Sequence, residues 1–154
     1  CAAVVLMSLA QAGCNRLSFG DPVESMTLYS LDGLHEVDEW DKKPGGEEKA
    51  KGELFHRFPV LGKTEITSAA DRSAILAAVK KGIAKSDGRE NKCFWPRHGL
   101  TLVQNGRHIE FVICFQCAQL DEYTDGQQVH KPTADAASGL LNQHLEKAHV
   151  PLAD

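Results

Sequence analysis

The chain has 154 residues, 42% of them hydrophobic, which is enough apolar material for one self-folding domain. Its formal net charge is −4, so it carries no basic footprint for a nucleic acid, and a polyanionic partner is not expected. The five cysteines make the compartment the first question.

The run Ala2–Ala10 is apolar but too short to span a bilayer, which takes about 20 residues. Small residues follow at once, Ala10-Gln11-Ala12-Gly13-Cys14, as in the h-region and cleavage zone of a secretory signal peptide. With neither an initiator Met nor a basic n-region, that peptide reads as truncated at its start. Ala10-Gln11-Ala12 fits ordinary small-x-small cleavage. Ala12-Gly13-Cys14 resembles the end of a bacterial lipobox, whose cysteine is lipidated and becomes the mature first residue, although Gln11 stands where an aliphatic is usual. The expectation is therefore a signal peptide over 1–13, a lipid on Cys14 that anchors the chain to a membrane, a tether over 14–22 and a single domain over 23–154. The destination is the cell envelope or the extracellular side; the alternative is a soluble secreted protein.

Val23 to Leu31 alternates weakly and ends at Asp32-Gly33, which reads as a strand. Seven of the twelve residues over 41–52 are charged, and Pro44-Gly45-Gly46 breaks any element there, so this stretch reads as a solvated polar loop. Phe58 to Ile66 reads as a second strand, with Phe58, Val60, Thr64 and Ile66 on one side. Ser68 then opens a helix, with Asp71 in capping-box position and a stripe of Ile75, Leu76, Val79 and Ile83. Ser86-Asp87-Gly88 ends it.

Asn105-Gly106 lies between two alternating runs, and a type I′ turn needs positive φ at both central residues. Centring the hairpin there pairs Gln104 with Arg107, Leu102 with Ile109, Leu100 with Phe111 and His98 with Ile113. One face collects Leu100, Leu102, Ile109, Phe111, Ile113 and Phe115 as core. The other carries Thr101, His108, Glu110 and Gln116, with Val103 and Val112 among them, and reads as half-wet. Pro96 cannot donate to a ladder, so pairing should bulge or stop there. Tyr123–Gln128 marks a second tight turn. Pro132-Thr133 leads into a closing helix with Ala137, Leu140, Leu141, Leu145 and Ala148 inward, stopped by Val150-Pro151. The order of strand, strand, helix, four strands and helix predicts an α+β fold, an antiparallel meander sheet with two helices. From Phe58 onward the order resembles the TATA-binding-protein-like sheet topology, a likeness of fold that carries no function.

The residues that invite chemistry are Cys93, Pro96, Arg97, His98, Cys114 and Cys117. With Cys14 lipidated and Cys1 lost with the signal, three thiols remain, one disulfide and one odd sulfur, and outside the cytosol a disulfide is the default. A staple from Cys93 to Cys117 or to Cys114 would close a loop of about 20 to 25 residues, worth roughly 3 kcal/mol. The alternative is a Cys3His zinc set of Cys93, His98, Cys114 and Cys117. Against it, Cys114 and Cys117 point apart in a strand unless the strand breaks near Gln116. A redox CxxC is the other alternative, although this one ends a strand rather than heading a helix. Haem attachment is excluded by Ala118, where His is required.

Arg97-His98 suggests an anion clamp beside a base, but no serine or carboxylate near it in the sequence completes a triad. His98 falls on the core face, where a hydrogen-bonded histidine is the commoner occupant, and Trp95 is expected to pack. His35, His56, His130, His144 and His149 lack ligand spacing, and His108 should be exposed. No catalytic residue and no cofactor are therefore expected. The chain reads as a non-catalytic binding or envelope module for an unspecified protein or small molecule.

The segments Leu28-Tyr29-Ser30-Leu31-Asp32-Gly33, Val60-Leu61-Gly62-Lys63-Thr64, Cys93-Phe94-Trp95-Pro96-Arg97-His98-Gly99 and Ile113-Cys114-Phe115-Gln116-Cys117 together resemble an uncharacterised family of small exported bacterial proteins of the planctomycete type. The resemblance runs from about Leu28 to the C-terminus. It implies export, often as a lipoprotein, and the same order of elements. Its motif residues fall here on Cys93, Pro96, Arg97, His98, Cys114 and Cys117, and it implies no activity.

Overall fold

The computed structural model describes residues 22–36 and 52–153. The signal-like segment, Cys14, the tether up to residue 21 and nearly all of the polar loop lie outside the described residues. The elements are β1 (Val23–Leu31), β2 (Leu54–Phe55), β3 (Phe58–Glu65), α1 (Ala69–Lys85), β4 (His98–Gln104), β5 (Arg107–Cys114), β6 (Gln119–Thr124), β7 (Gln127–Pro132) and α2 (Ser138–Lys147). All strand pairs are antiparallel and the sheet order is β2-β3-β1-β4-β5-β6-β7. The fold is α+β, as the order of elements predicts. What that order does not reveal is the short strand β2, which makes seven strands where six are expected, and the place of β1, which lies between β3 and β4 and pairs with both.

The β4–β5 hairpin keeps the register set by its turn, from Gln104↔Arg107 to His98↔Ile113. Asn105 (φ 54°) and Gly106 (φ 69°) both take positive φ, as a type I′ turn requires. Asp125 (φ 52°) and Gly126 (φ 77°) repeat the device between β6 and β7. Leu100, Leu102, Ile109, Phe111 and Ile113 are all buried on the helix side, with Leu28, Leu120, Ile75, Leu141 and Leu145.

The opposite face is drier than its alternation suggests. Leu31, Phe55, Phe58 and Val112 form a second apolar cluster, and Val112 is 1% exposed rather than half-wet. The cover comes from the β2–β3 hairpin. Phe55 stacks on Tyr29 with centroids 4.5 Å apart, and His56 stacks on Tyr123 at 3.8 Å. A register shift between Ser30 and Leu31 leaves Leu61 as an extra residue in β3. Because side chains alternate, this bulge turns Phe58 and Val60 to the second cluster while Ile66 joins the helix-side core. The four residues expected on one side of that strand are thus divided between two.

In α1 the Ser68 hydroxyl accepts the Asp71 N–H at 3.2 Å, and Ile75, Leu76 and Val79 are buried with Ile83 partly so. α2 differs at its end from the expected stripe. It stops at Lys147, Ala148 is exposed, and His149 takes φ 56°. His149 N–H bonds Glu146 O and Val150 N–H bonds Leu145 O, both at 2.9 Å, the Schellman pattern. The helix therefore closes on its own carbonyls before Val150-Pro151 is reached.

Candidate functional site

β5 ends at Cys114, and 115–118 form a tight turn in which Ala118 (φ 57°) donates its N–H to Phe115 O at 3.0 Å. The turn carries Cys117 back over the strand end. Cys114 and Cys117 are joined by a disulfide with their Cα atoms 5.1 Å apart, and the Cys117 N–H donates to Cys114 Sγ at 3.2 Å. This corrects the expected Cys93–Cys117 or Cys93–Cys114 staple. Strand alternation, which would keep the pair apart, no longer applies past Cys114. Cys93 keeps its thiol and is half-buried. That thiol nevertheless lies 3.8 Å from Cys117 Sγ, which also accepts the Trp95 N–H at 3.3 Å.

The segment from Asn91 to Arg97 is irregular, and other parts of the fold hold it. Asn91 N–H donates to Cys117 O at 2.9 Å, its side-chain amide donates to Gln116 O at 2.7 Å, and the Gln119 amide donates to Asn91 O. Leu31 N–H donates to Arg97 O at 3.0 Å and Arg97 N–H to Ile113 O at 3.2 Å, so pairing stops at Pro96 as expected. Gly33 has no room for a side chain: a Cβ there would lie 2.4 Å from Pro96 O and 2.5 Å from the Trp95 carbonyl carbon. The Asp32-Gly33 turn and the Trp95-Pro96-Arg97 loop are thus pressed into one unit. Trp95 is 50% exposed, in contrast to the packed role expected of it, because Phe94 takes the inward place beside Phe58.

His98 opens β4 on the core face, where the register places it, and is 5% exposed. Its Nε2 is 2.7 Å from Asn142 Oδ1 on α2. Burial pushes its pKa below the ordinary histidine value, outweighing the Asn142 hydrogen bond that acts the other way. A neutral ring that donates from Nε2 carries its lone pair on Nδ1, and that buried atom has no partner among the described residues. Neither has Ser30 Oγ, on the residue that pairs with His98 across β1 and β4.

Both residues line a cleft of about 290 Å³, together with Arg97, Cys114, Asp135 and Asn142. Asp135 accepts the Ser138 N–H at 3.1 Å and its hydroxyl at 2.7 Å, and so caps the start of α2. Arg97 is exposed and forms no ion pair among the described residues. A second cleft of about 290 Å³ lies on the other side of Trp95 and Arg97, with Gly33, Leu61 and Leu152.

The six residues singled out from the sequence are therefore neighbours around one corner. Ser30, Asp135 and Asn142 were not among them. Ser30 sits mid-strand, and Asn142 is 44 residues from the histidine it orients, so no local pattern marks either. Among the described residues no group of three or more His, Cys, Asp or Glu side chains is placed to hold a metal ion. Within the proposed Cys3His set the three sulfurs converge, while His98 turns Nε2 to Asn142. No helix among the described residues is long and apolar enough to cross a membrane. Comparison with family models, with curated proteins and with solved structures finds no match to this chain.

Proposed function

We propose that the chain is an exported, lipid-anchored binding module that takes a small anionic ligand into the cleft between β1, β4 and the start of α2. In this reading the Cys114–Cys117 bridge and the packed Cys93 segment are the masonry of the cleft wall. One observation carries it: among the described residues Ser30 Oγ and His98 Nδ1 are buried, without a partner and cross-strand neighbours, beside the Arg97 guanidinium, which forms no ion pair there. A buried polar atom left unpaired costs about 1–3 kcal/mol, and a ligand that supplies the missing bonds recovers it. His98 Nδ1 calls for a hydroxyl or amine donor, and Arg97 for a carboxylate, which its planar fork grips through two parallel bonds. The ligand class is therefore a small carboxylate bearing a hydroxyl or amine, in keeping with a cleft at the low end of the usual range of about 300–1,000 Å³.

Export and anchorage rest on the Ala2–Ala10 run before Cys14 and on the family resemblance of the four motif segments. Intact mass of the natively exported protein tests them, since cleavage site, lipid and oxidation state are read together. An unmodified Cys14 would remove the anchor. The binding reading is tested by two-dimensional NMR with a panel of hydroxy and amino carboxylates. Shifts should concentrate at Ser30, Arg97, His98 and Asn142 and vanish in Arg97→Gln. Shifts that survive this exposed substitution, or that fall elsewhere, refute it.

A second reading, a zinc site in the reduced chain, is favoured by the sulfur geometry. The Cys93–Cys117 Sγ distance of 3.8 Å is close to the ligand–ligand spacing of a tetrahedral ion with Zn–S of about 2.3 Å. Elemental analysis of protein purified under reduction decides it: stoichiometric zinc lost in Cys93→Ser supports a metal site.

A further inference from the structure

The geometry points to a thiol–disulfide exchange site in which Cys93 moves the bridge from Cys114–Cys117 to Cys93–Cys117 and thereby delivers a free thiol, Cys114, into the cleft. The inference goes beyond the binding reading and stands even if no carboxylate ligand is found. Three observations meet in it. Among the described residues the free sulfur is Cys93, 3.8 Å from Cys117 Sγ, so the attacked atom is identified. The other sulfur, Cys114 Sγ, accepts the Cys117 N–H at 3.2 Å, and a backbone donor is what a departing thiolate needs. Finally, both sulfurs of the bridge are buried, but only Cys114 lines the cleft, beside Arg97 and His98.

The step is an isomerisation without net oxidation. The Cys93 thiol loses its proton to solvent and its sulfur attacks Cys117 Sγ. The Cys93–Cys117 bond forms as the Cys117–Cys114 bond breaks, and Cys114 leaves as a thiolate that solvent can protonate. The class of substrate follows from what lies around that thiolate. Arg97 favours an anionic group, so the partner is a low-molecular-weight disulfide bearing carboxylates, RSSR. Attack by Cys114 gives the Cys114–SR mixed disulfide and releases RS⁻. Cys93 is then a positioning residue, because it acts on the substrate only through the sulfur that it sets free.

The test uses the full chain with its disulfide formed, held at mildly alkaline pH, quenched in acid and digested with pepsin. Mass spectrometry of the linked peptides should show a Cys93–Cys117 linkage beside the Cys114–Cys117 one. Addition of bis(nitrobenzoate) disulfide should then place label on Cys114, and Cys93→Ser should lose both the second linkage and the Cys114 label completely. In Cys114→Ser the two remaining sulfurs should close a Cys93–Cys117 bridge under air. The inference is overturned if wild type yields only the Cys114–Cys117 linkage with label confined to Cys93 or absent. It is overturned equally if Cys114→Ser leaves Cys93 and Cys117 unbridged.

Discussion

Reduction of the disulfide gives the sharpest quantitative check on the cysteine geometry. Cys114 and Cys117 are three residues apart, so the bridge closes a loop of only four. In the chain-entropy model a loop that short stabilises the fold by about 2 kcal/mol, against about 3.5 kcal/mol for the loop that a Cys93–Cys117 bridge would close. For a domain near this size, about 2–4 °C of melting temperature accompanies each kcal/mol, so reduction should lower Tm by about 4–8 °C. The assay is thermal unfolding followed by circular dichroism, oxidised against phosphine-reduced, with a chelator present so that no metal compensates. The same fall should appear in Cys93→Ser, because Cys93 is not part of the closed loop. Abolition of the fall in Cys93→Ser would mean that the resting bridge runs through Cys93, and the reasoning would fail. An unchanged Tm on reduction of wild type would refute it as well.

Other outcomes follow from particular contacts. Gly33→Ala should cost about 1–3 kcal/mol, since a Cβ 2.4 Å from Pro96 O forces the two motif loops apart; an unmoved urea midpoint would show that they are not pressed together. Leu141→Ala, at a fully buried position under the sheet, should cost about 2–5 kcal/mol in the same assay. The folded His98 pKa lies below the unfolded value of 6.5, so the unfolded chain protonates first. Stability should therefore decline as pH drops below about 6.5 and level off once the folded ring is charged. Asn142→Asp, which sets a carboxylate against Nε2, should raise that pKa in an NMR titration, and no rise would break the His98–Asn142 assignment. His130 has the opposite sign. The Asp121 hydrogen bond, 2.7 Å from Nδ1, holds its pKa above the ordinary value despite partial burial, and Glu90 adds to this. Its contribution is complete below about 6.5 and fades as pH rises through the raised folded value. Asp121→Asn should bring the titration back down.

Much of the frame was legible because it depends on neighbours in the chain. Asn105-Gly106 sets a register that holds over seven residue pairs, and Ser68 with Asp71 marks where α1 begins. The sulfur pairing is not legible in the same way, for a specific reason. Alternation carried on to Cys117 would point the pair apart, but β5 stops at Cys114, and a turn with Ala118 at positive φ reverses the chain there. Ala is not a residue that announces such a turn. Val112 looks half-wet from the alternation of its own strand, while its cover is supplied by Phe55 from a two-residue strand nearly sixty positions earlier.

By itself, then, the sequence determined the two helices, the six longer strands, the two tight hairpins and the core face of the β4–β5 hairpin, but not the two-residue β2 or the divided faces of β3. These are matters of local periodicity and of which residues tolerate positive φ. Only the tertiary structure decided the rest: β1 inserted between β3 and β4, Ser30 beside His98, Asn142 against the ring, and Cys93 next to a bridge that it does not join. Each of these joins side chains from distant parts of the chain. No repeat of 2 or 3.6 residues can encode them, and they are set by how the sheet and α2 bury their apolar faces together.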